Sequence, residues 1–297
     1  MSIQPRAVIV HRATELTGLL HDHGTKGKAK FFLETRGRDL ELAEHRHALQ
    51  ERALGFVMKA LPKRWRRAVV ERSDLDRFLF EPSDLVVAVG QDGLVANTSK
   101  YLDGQPVVGI NPDPEVNAGV LVPHDPRMAA DVLAATAANE APIQARTMAE
   151  ARTDDGVQLV ALNELFVGHR THQSARYELG QGETSVFQSS SGLIVATGTG
   201  CTGWAASVHR CHRSDLALPR PTDPRLVFFV REAWPGPGCD ADLTEGLVAP
   251  RQPLRVTCRM PEGGVVFGDG IEGDSIPLRW GQTVSITRAA RQLRLVA

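Results

Sequence analysis

Cysteine is scarce in this sequence. Its four cysteines, which are Cys201, Cys211, Cys239 and Cys258, show no CxxC spacing. Structural zinc sites typically use closely spaced CxxC pairs, and disulfide frameworks are typical of short secreted chains. The pattern therefore favours reduced thiols in a cytosolic protein.

The sequence also lacks an excess of either charge and any long hydrophobic run. The net charge is −1, so the composition gives no indication of a nucleic acid or an anionic membrane as a partner. No window approaches the roughly 18 apolar residues that a membrane-spanning helix needs. The N-terminal residues MSIQPRAVIVH contain neither a long apolar segment nor a small-residue cleavage site. We therefore expect no signal peptide and a cytoplasmic location.

What the sequence does contain is an ordinary globular composition, with 42% hydrophobic and 23% charged residues in a chain of 297. That length fits one large domain or two modest ones. In the first part, short apolar runs alternate with helical segments, which predicts a parallel sheet covered on both faces. The predicted strands are residues 7–10, 67–72, 84–90 and 106–111. A helical stripe is predicted at Leu42, Leu49, Ala53, Phe56, Val57 and Leu61.

The pattern changes after about residue 123. Asp125 is a candidate N-cap, followed by Pro126 and a helical segment. From residue 141 onward, short strand candidates such as VQLVALNELFVG, GLIVATG and RLVFFV are separated by turn signals. Such spacing is typical of a sandwich or of stacked sheets. We therefore predict an α/β domain over residues 1–122, a β-rich domain over residues 123–297, and a ligand cleft between them.

One turn in the first domain has the features of a reaction site. The apolar run 85–89 ends in Gly90-Gln91-Asp92-Gly93, and a helical segment follows. Free backbone N–H groups at such a strand-to-helix turn bind phosphate well. An aspartate there repels phosphate, but it can hold Mg²⁺ or accept a proton from an attacking hydroxyl. The alternative is that Asp92 serves only as the helix N-cap.

Two stretches of the second domain are further candidates. Asn163 and Glu164 interrupt an apolar strand pattern, where they could bind sugar hydroxyls or simply be solvated at a strand edge. The segment from Thr197 to Gly203 is a loop of small residues in which threonine hydroxyls could bond ribose or phosphate. Its alternative is a flexible turn. The histidine pairs at 21–23, 45–47 and 209–212 have no strong metal-ligand spacing, which favours surface histidines.

Taken together and in order, these motifs resemble the NAD kinase family, within the superfamily that includes diacylglycerol and sphingosine kinases. The family's Gly-Gly-Asp-Gly turn corresponds to residues 90–93, its Asn-Glu pair to residues 163–164, and its Thr/Gly-rich loop to residues 197–207. The mitochondrial-type branch is most similar, because SSGLIVATGTGCTGW, NPDPEVNAGVLVP, REAWP and Phe267-Gly268-Asp269-Gly270 all have counterparts there. The order matches from about residue 84 to residue 275.

The resemblance implies an α/β domain followed by a β-rich domain, and a phosphoryl transfer from ATP or polyphosphate, with Mg²⁺, to the adenosine-ribose 2′-hydroxyl of NAD or NADH. Asp92 would be the base or the metal-linked acid. Gly90, Gln91 and Gly93 would bind the phosphate donor. A homodimer or homotetramer is expected. The residues implied in dinucleotide binding are Asn111, Asn163, Glu164, Ser191, Thr197, Thr199, Gly200, Thr202, Trp204, Ser207 and Asp269.

The sequence departs from the family pattern at four positions. Gln91 stands where the family has its second glycine, and Leu94 stands where it has a threonine. Ser191 replaces the aspartate of bacterial members, and Trp204 replaces their tyrosine. Two other hypotheses therefore stay open: a kinase of a sugar, nucleoside or lipid alcohol, and a dinucleotide-binding sensor without transfer activity.

Overall fold

The computed structural model describes residues 5–239 and 241–297. The chain divides into two compact units. The first contains the residues up to Gln144 together with Arg294–Ala297, and the second runs from Ala145 to Leu293. Within the described residues, no helix is both long and apolar enough to cross a membrane.

A parallel sheet forms the centre of the first unit, with strand order β2-β1-β3-β4. The strands are β1 (Arg6–His11), β2 (Arg66–Glu71), β3 (Leu85–Val89) and β4 (Pro106–Ile110), and the helices are α1 (Glu15–His23), α2 (Lys26–Glu34), α3 (Leu40–Ala60), α4 (Asp92–Ser99) and α5 (Ala129–Ala137). Every residue of β3 is buried, as a continuous apolar run in a covered parallel sheet requires. The predicted α/β architecture is confirmed.

Helix α3 packs against this sheet with Ala53 and Val57 of the predicted stripe, but two other members of that stripe lie off the buried face. Ala43, Ala53 and Val57 are buried, whereas Leu42 and Phe56 are 50% and 41% exposed. The prediction of Leu42 and Phe56 as buried positions is therefore wrong. Each lies one residue from a buried position, Ala43 in the core with α1 and α2 and Val57 in the core with the sheet, which turns its side chain by about 100° away from that core.

Helix α5 belongs to the first unit, although the sequence-based boundary at residue 122 assigned it to the second domain. Asp125 caps a short 3-10 turn by accepting from the Arg127 N–H, as predicted, and α5 follows. Ala129 and Leu133 are buried in the same core as Val57 of α3. A change from helical to strand-like sequence therefore does not coincide with the packing boundary, because the apolar face of α5 is buried against the first unit.

The second unit is built from two sheets and a helix. One sheet has the order β16-β13-β8-β9, with β5 pairing to β16 and to β6, and the other has the order β12-β11-β10-β7-β14-β15. The elements are β5 (Ile143–Thr153), β6 (Gln158–Ala161), β7 (Glu164–His169), β8 (Ala175–Gln181), β9 (Thr184–Ser190), β10 (Leu193–Ala196), α6 (Trp204–His212), β11 (Leu226–Val230), β12 (Glu245–Val248), β13 (Leu254–Cys258), β14 (Gly264–Gly268), β15 (Ile271–Leu278) and β16 (Thr283–Val296).

The main core of this unit lies between the two sheets. Leu165 and Phe228 of one sheet and Tyr177 of the other belong to one buried cluster. Helix α6 covers the outer face of the second sheet, where Ala205 packs with Phe229. The side chains of successive strand residues point to opposite faces, so both faces of this sheet are apolar and buried. The predicted β-rich, sandwich-like domain is confirmed.

Candidate functional site

The turn after β3 forms the first group of candidate residues. Gly90 is buried, and its N–H donates to the Ile110 carbonyl at 3.0 Å, so sheet pairing continues one residue past the strand. Gln91 is exposed and extended, with φ −101° and ψ 167°, and it is the N-cap residue of α4. Asp92 is the first residue inside the helix. The alternative in which Asp92 acts as the N-cap is therefore wrong.

The two departures from the family turn have simple local explanations. Gln91 needs no positive φ, so its side chain strains nothing in the backbone. Leu94 is 5% exposed and packs beneath the turn, where a Cβ added at Gly90 would lie 3.1 Å from its Cδ2 atom. A Cβ added at Gly93 would meet no atom within 4 Å. The start of α4 therefore has free space beside Gly93, whereas the buried Leu94 side chain packs against Gly90.

The carboxylate of Asp92 is held by the backbone of a distant loop. Its Oδ2 accepts from the Val120 N–H at 3.1 Å, and its Oδ1 accepts from the Leu121 N–H at 2.8 Å. Each carboxylate oxygen can accept more than one hydrogen bond. Asp92 therefore has a fixed orientation and still has acceptor capacity for a hydroxyl or a cation.

Asn111 shapes the loop that supplies those two amides. It is 4% exposed, and its Nδ2 donates to the Asn117 carbonyl at 3.0 Å while its Oδ1 accepts from the Asp113 N–H at 3.1 Å. Gly119 has φ +71°, and a Cβ there would lie 2.8 Å from Asn111 Nδ2. Both ends of the Asn111 amide are thus used within the loop, which gives this predicted binding residue a structural role.

A second group of candidates lies in the second unit, where the chain passes from one sheet to the other. Strand β6 pairs with β5, whereas β7 pairs with β10 and β14, so Leu162 and Asn163 connect the two sheets. Asp269 accepts from the Leu162 N–H at 2.9 Å and from the Asn163 N–H at 2.7 Å, and its own N–H donates to the Glu164 carbonyl at 3.0 Å. Asp269 has φ +54°, in the left-handed region. This carboxylate fixes the backbone of the Asn-Glu pair.

The Thr/Gly-rich loop packs directly on that backbone. The buried Thr197 hydroxyl donates to the Leu162 carbonyl at 2.5 Å and accepts from the N–H groups of Thr199 at 3.1 Å and Gly200 at 3.3 Å. A Cβ at Gly200 would lie 2.2 Å from the Asn163 carbonyl oxygen. Only glycine permits this approach, so the alternative of a flexible turn is wrong for this part of the loop.

Glu164 is the carboxylate whose protonation this environment alters most clearly. Burial raises its pKa to about 7, and the negative charge of Asp269 adds to the effect. Burial also raises the pKa of the Cys201 thiol to about 12, with Glu164 contributing, so this cysteine is a neutral thiol rather than a nucleophile. A carboxyl group with a pKa near neutrality in a structured polar site is typical of functional positions.

An aromatic cluster lies beside the loop. The Trp204 ring stacks on Phe166 at a centroid distance of 6.0 Å, and Phe166 contacts Phe267 at 4.8 Å. The Arg231 guanidinium lies 5.2 Å from the centroid of the Trp204 ring. Sequence reasoning identified Trp204 but did not name Arg231 as a site residue, although the REAWP segment that begins at Arg231 was among the matched motifs.

Trp204 and Ser207 line an open groove of about 1140 Å³ in the second unit. Its lining includes a polar group in which the Ser214 hydroxyl donates to Glu245 at 2.7 Å and His212 lies 3.3 Å from the same carboxylate. No sequence motif predicted this group, because it joins the end of α6 to β12. Such a groove is large enough for part of a nucleotide.

The structure thus collects the predicted residues into two groups, one in each unit. Gly90, Gln91, Asp92, Gly93 and Asn111 form the first, and the remaining predicted residues form or border the second. Ser191, Thr202 and Ser207 are exposed at its surface. Among the described residues, no group of three or more His, Cys, Asp or Glu side chains is arranged to hold a metal ion.

No family model matches the chain. Among curated proteins, an NAD kinase of Methylococcus capsulatus is 37% identical over 140 residues, covering 43% of this chain and 46% of that protein. The mitochondrial NAD kinase 2 of Rattus norvegicus is 29% identical over 246 residues, covering 55% of this chain and 57% of that protein. The chain thus spans about half the length of the curated relatives it matches.

Solved structures give a similarity over the whole chain. Yeast NADH kinase, solved with NADH, has a TM-score of 0.61 at 13% identity and covers 100% of this chain and 84% of its own. An NAD kinase from Archaeoglobus fulgidus, solved with ATP, has a TM-score of 0.58 at 18% identity, and the match covers 98% of this chain and 93% of that protein. The chain therefore has the NAD kinase fold. The curated relatives that the sequence matches are NAD kinases as well.

Proposed function

We propose that this chain is an NAD(H) kinase, which transfers a phosphoryl group from ATP or polyphosphate to the adenosine-ribose 2′-hydroxyl of NAD or NADH. The observation that carries the proposal is the orientation of Asp92. Its carboxylate stands at the start of α4, directly after a parallel strand, and is fixed by the Val120 and Leu121 amides. Phosphoryl transfer depends mainly on such positioning of charge and donors.

In the proposed reaction, the 2′-oxygen forms a bond to the transferred phosphorus as the bond between that phosphorus and the leaving phosphate oxygen breaks. Asp92 accepts the hydroxyl proton, and the shortened donor leaves as ADP or shorter polyphosphate. The amides at the start of α4 face the donor phosphates, where the positive end of the helix dipole favours their charge. The space around Gly93 permits a close approach of those phosphates.

Magnesium fits this arrangement without a protein cage. Mg²⁺ in kinases is usually held by one or two carboxylates together with substrate phosphates and water. Asp92 is the carboxylate that would hold it, since each of its oxygens keeps acceptor capacity beyond one backbone amide. The ion would neutralise charge on the transferred group.

The second unit would bind the dinucleotide. Asn163 and Glu164 would take ribose hydroxyls, on a backbone that Asp269 and Thr197 fix. The Trp204 ring would pack against a base of the dinucleotide, since this ring lines the groove beside α6. The polar residues that would complete the surface are Ser191, Thr199, Thr202 and Ser207, with Gly200 giving close backbone approach.

The test is direct. Purified protein is incubated with Mg²⁺, with ATP or polyphosphate as donor, and with NAD or NADH, and NADP(H) is measured by mass spectrometry. We expect product from the wild type, and loss of at least about a hundredfold in rate for Asp92→Asn. Asp103→Asn, an exposed aspartate of the same unit, is the matched control and should keep the wild-type rate.

Thermal unfolding of each variant separates loss of chemistry from loss of fold. Stabilisation by NAD without product from any donor contradicts the kinase proposal and favours the sensor hypothesis. ATP consumption that requires a metabolite other than NAD favours a different acceptor. Light scattering on the same preparation tests the expected homodimer or homotetramer.

A further inference from the structure

A buried glutamine outside the predicted motifs contacts the strand that leads to Asp92. Gln50 lies on α3 and is 9% exposed. Its side-chain Nε2 donates to the carbonyl oxygen of Val89 at 2.9 Å. Its neighbours on the same face of the helix, Ala53 and Val57, are apolar and belong to the core. A polar side chain in such a position is usually retained for the hydrogen bond it makes.

The bond is made at the point where the chain leaves the sheet. Val89 is the last residue of β3 and Gly90 the first residue of the turn. The Val89 carbonyl and the Gly90 N–H belong to one planar peptide unit. Gln50 donates to the Val89 carbonyl of this peptide plane, and the Gly90 N–H of the same plane donates to the Ile110 carbonyl at 3.0 Å. Both polar groups of this peptide plane are therefore fixed, on opposite sides.

Such fixing matters because the next residue has no side chain to restrict it. Gly90 can adopt many backbone conformations, and Asp92 follows two residues later. The hydrogen bond from Gln50 sets the direction in which the turn starts. The Val120 and Leu121 amides then hold the Asp92 carboxylate from the other side.

We propose that Gln50 is a positioning residue for Asp92: it acts through the Val89–Gly90 peptide plane and does not itself touch the substrates. This inference rests on the proposed function for its kinetic consequence. The geometric part, restriction of the turn at 90–93, is independent of it. A displacement of a catalytic group by about 1 Å is enough to lower a rate strongly, so a buried bond one residue from the turn can control turnover.

The kinetic test is Gln50→Met, which keeps the length of the side chain and removes the donor. We expect kcat to fall by about tenfold or more, with KM for the dinucleotide changed by less than about twofold. Val57→Ala is the matched control, because it removes buried volume from the same face of α3 but leaves the hydrogen bond to the Val89 carbonyl in place. The control should lose thermal stability and keep kcat. Equal kcat in Gln50→Met and Val57→Ala would overturn the positioning role.

A second measurement keeps the inference separate from the proposed activity. Hydrogen exchange of the free protein is followed over residues 88–94, with no nucleotide present. Faster exchange there in Gln50→Met than in Val57→Ala supports the role of Gln50 even if the wild type shows no kinase activity, in which case only the proposed function fails. Unchanged exchange over 88–94 contradicts the inference.

A milder variant covers the case in which Gln50→Met does not fold. Gln50→Asn keeps the amide but shortens the side chain by one methylene, so the donor no longer reaches the Val89 carbonyl at 2.9 Å. We expect it to show the same direction of change in exchange and in kcat. A folded Gln50→Asn protein with wild-type exchange and kcat overturns the proposal.

Discussion

Glu164→Gln should stabilise the free protein at alkaline pH and leave it unchanged at acid pH. Burial and the charge of Asp269 raise the pKa of Glu164 from 4.5 to about 7. Between these values the folded protein binds more protons at this site than the unfolded chain does. The free energy of unfolding therefore falls as pH rises through that window, and the full loss is present above pH 7.

The size of the effect follows from the shift in pKa. Each pKa unit corresponds to about 1.4 kcal/mol, so the change from 4.5 to about 7 amounts to about 3 kcal/mol of destabilisation once Glu164 is ionised. Because Glu164 is only partly buried, solvent screens some of this, and about 2 kcal/mol is the expected gain for Glu164→Gln at pH 8. A buried carboxylate that lowers the stability of the fold by this amount is more consistent with a role in ligand binding than with a role in stabilising the fold.

The assay is urea unfolding followed by tryptophan fluorescence at pH 5 and pH 8. The matched control is Glu183→Gln, at the exposed turn between β8 and β9, which removes the same charge without removing a buried carboxylate. We expect the control to change the free energy of unfolding by less than about 0.5 kcal/mol at either pH. If the stability difference between wild type and Glu164→Gln is the same at pH 5 and pH 8, the reasoning about Glu164 is refuted.

Two further substitutions test the glycine pattern. Gly200→Ala should lower the free energy of unfolding by more than about 2 kcal/mol, because its Cβ would lie 2.2 Å from the Asn163 carbonyl oxygen. Gly273→Ala, where a Cβ meets no atom within 4 Å, is the control, and equal stability of the two variants would disprove the close approach. Gln91→Gly should change the unfolding free energy by less than about 1 kcal/mol and the rate of the proposed phosphoryl transfer by less than about threefold, since the extended backbone at Gln91 does not require glycine. A tenfold rise in rate would instead show that the glutamine side chain obstructs the site.

Several features could be predicted from the sequence because they are local. The apolar run 85–89, the glycine that ends it and the helix that follows define a strand, a turn and a helix start within about fifteen residues, and β3 and α4 have those positions. The alternation of short strands with turn signals likewise predicted the β-rich second unit. The order of the motifs along the chain was enough to indicate the fold, which the structural comparisons support.

The failures of sequence-based prediction have a common physical cause. Leu42 and Phe56 fit a helical stripe in the sequence, but only packing decides which of two neighbouring faces meets the sheet. Helix α5 reads as the start of a new domain, yet its apolar face is buried with α3 in the first unit. Periodicity reports that a face is apolar, and it does not report which partner covers that face.

The sequence by itself therefore determined the type of most elements and the residue types at the candidate site. Tertiary structure alone decided what orients those residues, because their partners are far away along the chain. Asp92 is held by amides 28 and 29 residues later, and the Asn163 backbone by Asp269, 106 residues later. Gln50 reaches Val89 across 39 residues. Hydrogen bonds at such separations depend on how the elements pack, and no local pattern records them.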